Sequence, residues 1–332
     1  MIELRCKDVN PRTVLIAGGC GFLGSWLVHR HFELGCRVIC VDNLETGRME
    51  NVSDLSGQKT FEFIPQDIID PLRIEGPIHE IYNMACAASP PKYQANPIHT
   101  LQTNIAGVTN LLDLAIEKQA RFLQSSTSEI YGDPELIPQR EDYFGNVNTF
   151  GPRSCYDEGK RVAETLIREY HLAHGVEARI ARIFNTYGPR MRPDDGRVIS
   201  NFVVQALLGE DITIHGEGNQ TRSFCYVEDQ IDGLMALMAC EGWHSPVNIG
   251  NPEEHSVKDI ARIVMQMTNA SSGIVHLPLP QDDPMVRRPS IDLAHRLLDW
   301  RPKVALQQGL KDTIEYFRNE IQAGALCRTA AE

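Results

Sequence analysis

The stretch "VLIAGGCGFLG" limits this chain's folding options more than any other. An apolar run ends in Gly18, Gly21 and Gly24, and an amphipathic run, "FLGSWLVHRHFELG", begins inside the same turn. Glycine permits the tight turn and a close backbone approach, and a helix starting there offers free N–H groups and a positive dipole end. Strand, glycine turn and helix in that order predict a dinucleotide-binding βα unit, with a pyrophosphate at Gly18, Gly21, Phe22, Leu23 and Gly24. A glycine triplet alone is weak evidence, since a plain turn also uses it. Here a second strand, "RVICVD", ends in Asp42, about where a ribose-binding acid is expected. A carboxylate there accepts from the 2′-OH of NAD and repels the 2′-phosphate of NADP, while Arg48 nearby weakens that preference slightly. Asn43 adjoins Asp42, and Asp67 in "PQDIID" is placed for an adenine contact.

The first half continues in the same rhythm. "EIYNMA", "NLLDLAIEKQ" and "RFLQSS" alternate short apolar runs with amphipathic ones, which predicts a Rossmann-type, doubly wound parallel α/β sheet. A long helix at "YDEGKRVAETLIREYHLAHG" and a strand at "EARIARIFN" extend it, after which the pattern loosens. The loop "TYGPRMRPDDGR", rich in Pro, Gly and charge, reads as functional rather than as a linker. The expected organisation is an NAD-binding domain over residues 1–184, with residues 224–250 returning to it. A smaller α/β substrate lobe follows from residues 185–223 and 251–322, then a frayed tail over residues 323–332.

Composition excludes several classes. A formal charge of −12 argues against nonspecific nucleic-acid binding, so an anionic ligand must meet local arginines. No signal-peptide pattern opens the sequence and no apolar run approaches a membrane span, which leads us to expect a cytoplasmic protein with no membrane partner. Nine scattered cysteines without a CxxC pair read as reduced thiols, and no HExxH spacing occurs, so no metal site is expected. Cys20 and Cys155 fall inside the functional motifs, where alkylation would inhibit without either thiol being catalytic.

"YDEGK" places Tyr156 and Lys160 at i, i+4 on one helix face. A nearby ammonium stabilises phenolate and lowers the phenol pKa toward the range of a general base. YxxxK arises often by chance as a solvated pair, but Thr127, ending the preceding strand, adds a hydroxyl for the same substrate group. Together with a dinucleotide fold these residues describe hydride removal from a secondary alcohol.

"GGCGFLG", "TSEIYGDPE", "CYDEGKRVAET", "ARIFNTYGPRM", "DGRVISNF", "QTRSFCYVED", "VNIGNPEEH" and "QDDPMVRRPSI" occur in order between Thr13 and Phe317. Together they resemble the extended short-chain dehydrogenase/reductase family, and within it the branch that decarboxylates nucleotide hexuronates. The resemblance implies NAD as cofactor and UDP-glucuronate as substrate, converted to UDP-xylose by C4 oxidation, CO2 loss and C4 re-reduction. It implies Thr127, Tyr156 and Lys160 as the oxidoreductase group, with Tyr156 and Lys160 also touching cofactor and Glu129 beside the sugar. Asn185, Arg222 and Arg287 would hold the uridine diphosphate, with "ITIHG" flanking the base. "ASPPKY" is similar to the family's sugar-contact loop, which brings in Ser89, Pro90 and Tyr93. The segment "NMACAAS" departs from that pattern at Asn83, Cys86 and Ala87, near the nicotinamide side.

Ser128 separates two chemistries. A related sugar 4,6-dehydratase typically carries Asp-Glu after the threonine, to protonate a leaving hydroxide and take the C5 proton, whereas this chain has Ser128-Glu129. A 4-ketone β to a carboxylate loses CO2 without expelling hydroxide, so the missing acid favours decarboxylation and leaves Ser128 to position the sugar. Glu129 would orient the sugar, hold a water or return a proton to C5. Its plain alternative is a surface-turn carboxylate, as Arg222 and Arg287 have solvated surface cations for theirs. Alternatives to the main reading are a nucleotide-sugar 4-epimerase, an oxidative decarboxylase releasing a 4-keto pentose, and a nucleotide-sugar sensor on a retired dehydrogenase scaffold. The helix "NPIHTLQTNIAGVTNLLDLAIEKQ" carries more apolar surface than one core-facing stripe needs. With the family's habit of pairing this helix and the Tyr156 helix across a twofold axis, that predicts a homodimer.

Overall fold

A computed structural model describes residues 11–324. Cys6, Cys327 and most of the expected tail lie outside the described residues. Along the chain, β1 (Thr13–Ala17), α1 (Phe22–Glu33), β2 (Arg37–Val41), β3 (Phe61–Ile64) and β4 (Glu80–Asn83) come first. Then follow α2 (Pro90–Ala95), α3 (Pro97–Gln102), α4 (Val108–Lys118), β5 (Arg121–Thr127), α5 (Ser154–His174) and β6 (Ala178–Ile183). The rest comprises β7 (Thr186–Tyr187), α6 (Val198–Leu208), β8 (Ile212–His215), β9 (Thr221–Ser223), β10 (Cys225–Tyr226) and α7 (Val227–Ala239). It ends with β11 (Pro246–Ile249), β12 (Glu254–Ser256), α8 (Val257–Thr268), β13 (Ile274–Leu277), β14 (Val286–Arg287), α9 (Asp292–Leu298) and α10 (Leu306–Gln322).

Seven strands form one parallel sheet in the order β11-β6-β5-β4-β1-β2-β3. Both faces are covered, and the interior strand β1 reads as an almost unbroken apolar run: Val14 and Ile16 join one core cluster, Leu15 and Ala17 the other. α1 and α7 supply Leu27, Val28, Ile231 and Leu234 to the first face. α4 and α5 supply Leu111, Leu112, Ala163 and Ile167 to the second. The first cluster runs on without a break into α6, α8 and α10 through Phe202, Val203, Ile260, Val264, Leu310 and Phe317, so the smaller lobe shares this core. β11 enters the sheet beside β6 from late in the sequence.

Strand order reverses at β1, with β2 on one side and β4 on the other; Ala17 is in register with Val41 and Asn83. Gly18, Asp42 and Met84 therefore leave three adjacent strands at one edge, where open α/β sheets bind ligands. The helix read as continuous from residue 96 to 119 is instead α3, a π turn over Thr103–Gly107, and α4. Thr103 Oγ1 donates to the His99 carbonyl at 2.8 Å and Asn104 Nδ2 to the Thr100 carbonyl at 2.9 Å, competing with the helical ladder there.

The turn depends on Gly24 lacking a side chain. A Cβ there would lie 1.9 Å from the Gly18 carbonyl oxygen, a backbone atom that has nowhere to go. Gly24→Ala should lower unfolding stability by roughly 2 kcal/mol or more and abolish dinucleotide binding. Urea denaturation and fluorescence titration check it; unchanged behaviour in both would mean that the turn does not hold α1 as described.

Candidate active site

A cleft of about 540 Å3 opens along the carboxyl edge of the sheet and reaches into the smaller lobe. At one end, Gly21 caps α1 with its backbone only, and the first helical turn contains no acidic residue. A Cβ at Gly18 would strike Ala85 N at 2.7 Å, whereas one at Gly21 would meet only the Gly18 oxygen, at 3.1 Å, so the space before it is open. Unfilled room before uncapped N–H donors suits a diphosphate. Gly18, Gly21, Phe22, Leu23, Gly24, Asp42, Asn43 and Asp67 all line this end. Asp42 accepts from the N–H groups of Cys20 at 2.9 Å and Leu44 at 2.8 Å; burial nonetheless raises its pKa. Asp67 is desolvated too, but the Ile69 N–H and the His99 and Asn43 side chains, at 2.9, 2.7 and 2.6 Å, hold its pKa low. Arg48 does not line the cleft, since Glu320 takes its guanidinium at 2.6 Å, whereas Asp42 does. These residues fit a dinucleotide with a free 2′-OH.

In the middle of the cleft, Thr127 ends β5, and Tyr156 and Lys160 project from one face of α5. Lys160 Nζ donates to the Ser125 carbonyl at 2.8 Å and lies 5.7 Å from the Tyr156 ring centre. The lysine was expected to lower the phenol pKa. Without ligands burial dominates instead: it pushes Tyr156 well above its ordinary value, Cys86 adds to the rise, and hydrogen bonding from Thr127 opposes it. Burial likewise lowers the pKa of Lys160. Of the departures in "NMACAAS", Asn83 is a buried strand residue bonded to Gln124 at 2.9 Å, while Cys86 and Ala87 line the cleft. Cys20 and Cys155 are both buried, so of these motif thiols it is Cys86 that faces the site.

At the far end three arginines converge. Arg222 and Arg287 are in register on the parallel strands β9 and β14, and Arg153 caps α5. Glu129, in the turn after β5, lies 2.9 Å from Arg153 Nη2 and 2.8 Å from Arg287 Nη2. Asp283 takes Arg222 at 2.8 Å and Arg153 at 3.4 Å. The surface readings fail here, because Arg222 and Arg287 are buried at 5% and 7% exposure and Glu129 is an ion-pair centre. Burial, followed by the neighbouring Arg287, brings the pKa of Arg222 down to about 10. Burial opposes ionisation of Glu129, yet Arg287 and Arg153 outweigh it and hold its pKa low.

Ser89, Pro90, Ser128 and Asn185 line the same cleft, with Asn185 Oδ1 accepting from Arg287 at 3.2 Å. Tyr93 does not. It packs behind Tyr156, ring centres 4.8 Å apart and planes 7° apart, because α2 turns that side chain onto α5. Sequence reading missed Arg153, Asp157, Arg197 and Asp283. Arg153 had a signal, since it precedes Tyr156 by three residues and so shares its helix face. Arg197 is bound by Asp195 at 3.0 Å in the loop already read as functional.

The parallel sheet, the glycine turn at its carboxyl edge and the Tyr156–Lys160 pair in one cleft are features of extended short-chain dehydrogenases/reductases. Residues 15–313 match the family described as GDP-mannose 4,6 dehydratase, and the chain belongs to that family. It is 51% identical over 316 residues to UDP-glucuronic acid decarboxylase 1 of Xenopus tropicalis, covering 95% of this chain and 74% of that protein. It is 51% identical over 309 residues to UDP-glucuronic acid decarboxylase 4 of Arabidopsis thaliana, covering 93% and 69%. Among solved structures it is similar to the UDP-glucuronic acid 4-epimerase of Bacillus cereus in complex with UDP-glucuronic acid and NAD. That likeness has a TM-score of 0.83 and 26% identity over 92% of this chain and 99% of that one. It is also similar to a UDP-glucose 4-epimerase with UDP-glucose from Thermotoga maritima, at TM-score 0.85 and 28% identity over 93% and 99%.

Glu129 among its arginines has a pH signature. Its folded pKa is depressed, so its pairing stabilises fully above the unfolded carboxylate value of about 4.3 and is lost as pH falls through the lower folded value. Glu129→Gln should therefore cost about 3 kcal/mol of stability at neutral pH, with the gap to wild type closing in acid. Urea midpoints across that range measure it, and a gap independent of pH would contradict the pairing.

Proposed function

We propose that this protein decarboxylates UDP-glucuronate to UDP-xylose, using NAD that is regenerated in each turnover. The observation that carries the reading is the pairing of two features in one cleft. One is the Thr127, Tyr156 and Lys160 group; the other is a cluster of three buried arginines, in which burial first and the neighbouring Arg287 second bring Arg222 down to about pKa 10. An anion entering that cluster relieves the repulsion, and arginine's planar fork suits a diphosphate. Asn185, Arg222 and Arg287 hold the nucleotide diphosphate, while Ser89, Pro90 and Ser128 position the sugar. Tyr93 supports Tyr156 from behind. The cradle at Gly18, Gly21, Phe22, Leu23 and Gly24, with Asp42, Asn43 and Asp67, holds the cofactor, and residues 185–223 and 251–322 form the nucleotide-sugar lobe.

NAD, which Gly18, Gly21, Phe22, Leu23, Gly24, Asp42, Asn43 and Asp67 would hold, would supply a reversible hydride acceptor for C4 of the sugar. Thr127 holds the C4 hydroxyl and Tyr156 takes its proton. For this the phenol must drop from the raised pKa that burial gives it, and the Lys160 ammonium and a cationic nicotinamide both favour phenolate. The resulting 4-ketone lies β to the C6 carboxylate, so the C5–C6 bond breaks, CO2 leaves and the electron pair becomes an enolate. C5 then takes a proton, and Tyr156 gives its proton back as C4 is reduced. No group is required to expel hydroxide, in keeping with Ser128 standing where a dehydratase has an acid.

The reading includes a cytoplasmic homodimer. Free thiols at Cys20, Cys40, Cys86, Cys155, Cys225 and Cys240 fit a reducing compartment, and no described helix is long and apolar enough to cross a membrane. Ile98, Ile105 and Ile116 are exposed near α3 and α4, and Val162 and Leu172 on α5, which supports a twofold contact through these helices.

The test is to incubate the protein with UDP-glucuronate and substoichiometric NAD, following sugar protons by NMR and NADH by absorbance. A UDP-pentose with catalytic NAD is expected, and Tyr156→Phe should slow its formation on the order of 10²-fold or more while leaving UDP binding nearly intact. A retained hexuronate epimerised at C4 would make the protein an epimerase. A 4-keto pentose with mole-for-mole NADH would make it an oxidative decarboxylase, and nucleotide-sugar binding without turnover a sensor.

A further inference from the structure

Arg153 separates two cavities. Its guanidinium borders the main cleft, where Nη2 holds Glu129, and it also lines a side cavity of about 300 Å3 together with Asp133, Asn146, Asn148, Asp157 and Asp283. Two polar atoms in this wall are buried and have no hydrogen-bond partner: Arg153 Nε and Asp157 Oδ1. They belong to residues i, i+4, Arg153 at the N-cap of α5 and Asp157 in its first turn, whose N–H donates to the Arg153 carbonyl at 3.0 Å, and are opposite in character, donor and acceptor. Side chains so placed ordinarily pair, yet no ion pair joins them, because Arg153 is turned toward Glu129 and Asp283.

We propose that Asp157 is a positioning residue whose protonated carboxyl leaves Arg153 committed to Glu129, and whose carboxylate form would compete for Arg153 and loosen Glu129 beside the sugar. The charged and titratable groups around it explain why the proton stays. Glu129 from the turn after β5 and Glu158 from α5 disfavour the carboxylate; Arg153 on α5 and Arg287 on β14 favour it. Tyr93 on α2 and Cys155 on α5 feel its charge, and Asp133, Asp282 and Asp283 share the side cavity. Burial comes first among these influences and Glu129 second, and together they push the Asp157 carboxyl up to about 8. A carboxyl neutral at pH 7 and ionised by pH 9 thus borders the residue that grips Glu129. Such a side chain acts through Arg153, without itself touching substrate.

Two properties follow, and the first rests on the decarboxylase reading. As Asp157 ionises, kcat should fall while KM for the nucleotide sugar changes less, because Arg153 then loosens its hold on Glu129 whereas the Glu129–Arg287 pair on the diphosphate side remains. The second is independent of any reaction. Asp157 has a raised folded pKa, so the native state holds a proton that the unfolded chain has released, and stability declines as pH rises from about 4 toward 8.

The experiment compares wild type with Asp157→Asn, which mimics the protonated form. From pH 7 to pH 9, kcat should drop roughly tenfold in wild type, as one group of this pKa titrates, and less than threefold in Asp157→Asn. An equal drop in both would overturn the proposal. In parallel, 13C carboxyl NMR of aspartate-labelled wild type, which needs neither substrate nor a folded variant, should show one resonance titrating above pH 7. Its absence would likewise overturn the proposal. A titrating resonance in a protein that releases no CO2 would leave the Asp157 assignment standing and count against the decarboxylase reading instead.

Discussion

Parallel strands must all deliver their carboxyl ends to the same edge of a sheet, and that constraint organises this molecule. Where strand order reverses at β1, the helices on either side diverge and a crevice opens. The glycine turn, Asp42, Met84, Thr127 and Asn185 all lie just beyond or at strand ends and so reach one cleft, though they are spread over most of the chain. Both faces of these strands are buried, so polar strand residues such as Asn83, Gln124 and Arg182 are tied up in hydrogen bonds, and the groups left open to a ligand sit at the strand ends. The catalytic edge is thus a by-product of how a parallel sheet is covered.

Electrostatics divides the cleft in a way that composition hides. A chain with net charge −12 gathers Arg153, Arg222 and Arg287 at one end, tempered by Glu129 and Asp283. Those carboxylates hold the arginines in position before a ligand arrives, while burial first and the neighbouring Arg287 second depress the pKa of Arg222. An incoming diphosphate would complete the balance. Glu129 has a dual position, tied to the anion-binding arginines and adjacent in sequence to Thr127, so it links nucleotide binding to the place where the sugar reacts.

Much of this was legible in the sequence, for identifiable reasons. Gly24, Asp42 and the Tyr156–Lys160 spacing are local patterns, in which a turn or a helical turn fixes geometry within a few residues. β11 beside β6 was legible only as a segment returning to the sheet, since periodicity carries no information about strand partners. Tyr93 was misplaced because a short helix can present a side chain to either of two neighbours, and stacking on Tyr156 decided it. The arginine cluster was anticipated in part. Arg222 and Arg287 came from resemblance, but their partners Arg153 and Asp283 arise from the register of β9 with β14 and from the start of α5. The phenol's raised pKa is likewise a property of the packed interior, where desolvation comes first and the Lys160 ammonium is engaged by the Ser125 carbonyl.

The central claim is that one cleft oxidises C4, lets CO2 leave C5 and returns the hydride it removed. Turnover of UDP-glucuronate in D2O, with the product read by proton NMR, tests this most directly. A pentose carrying one deuterium at C5, where the enolate takes a solvent-exchangeable proton, and the original hydrogen at C4 is the expected product. A pentose with solvent deuterium at C4, or with none at C5, would contradict the claim.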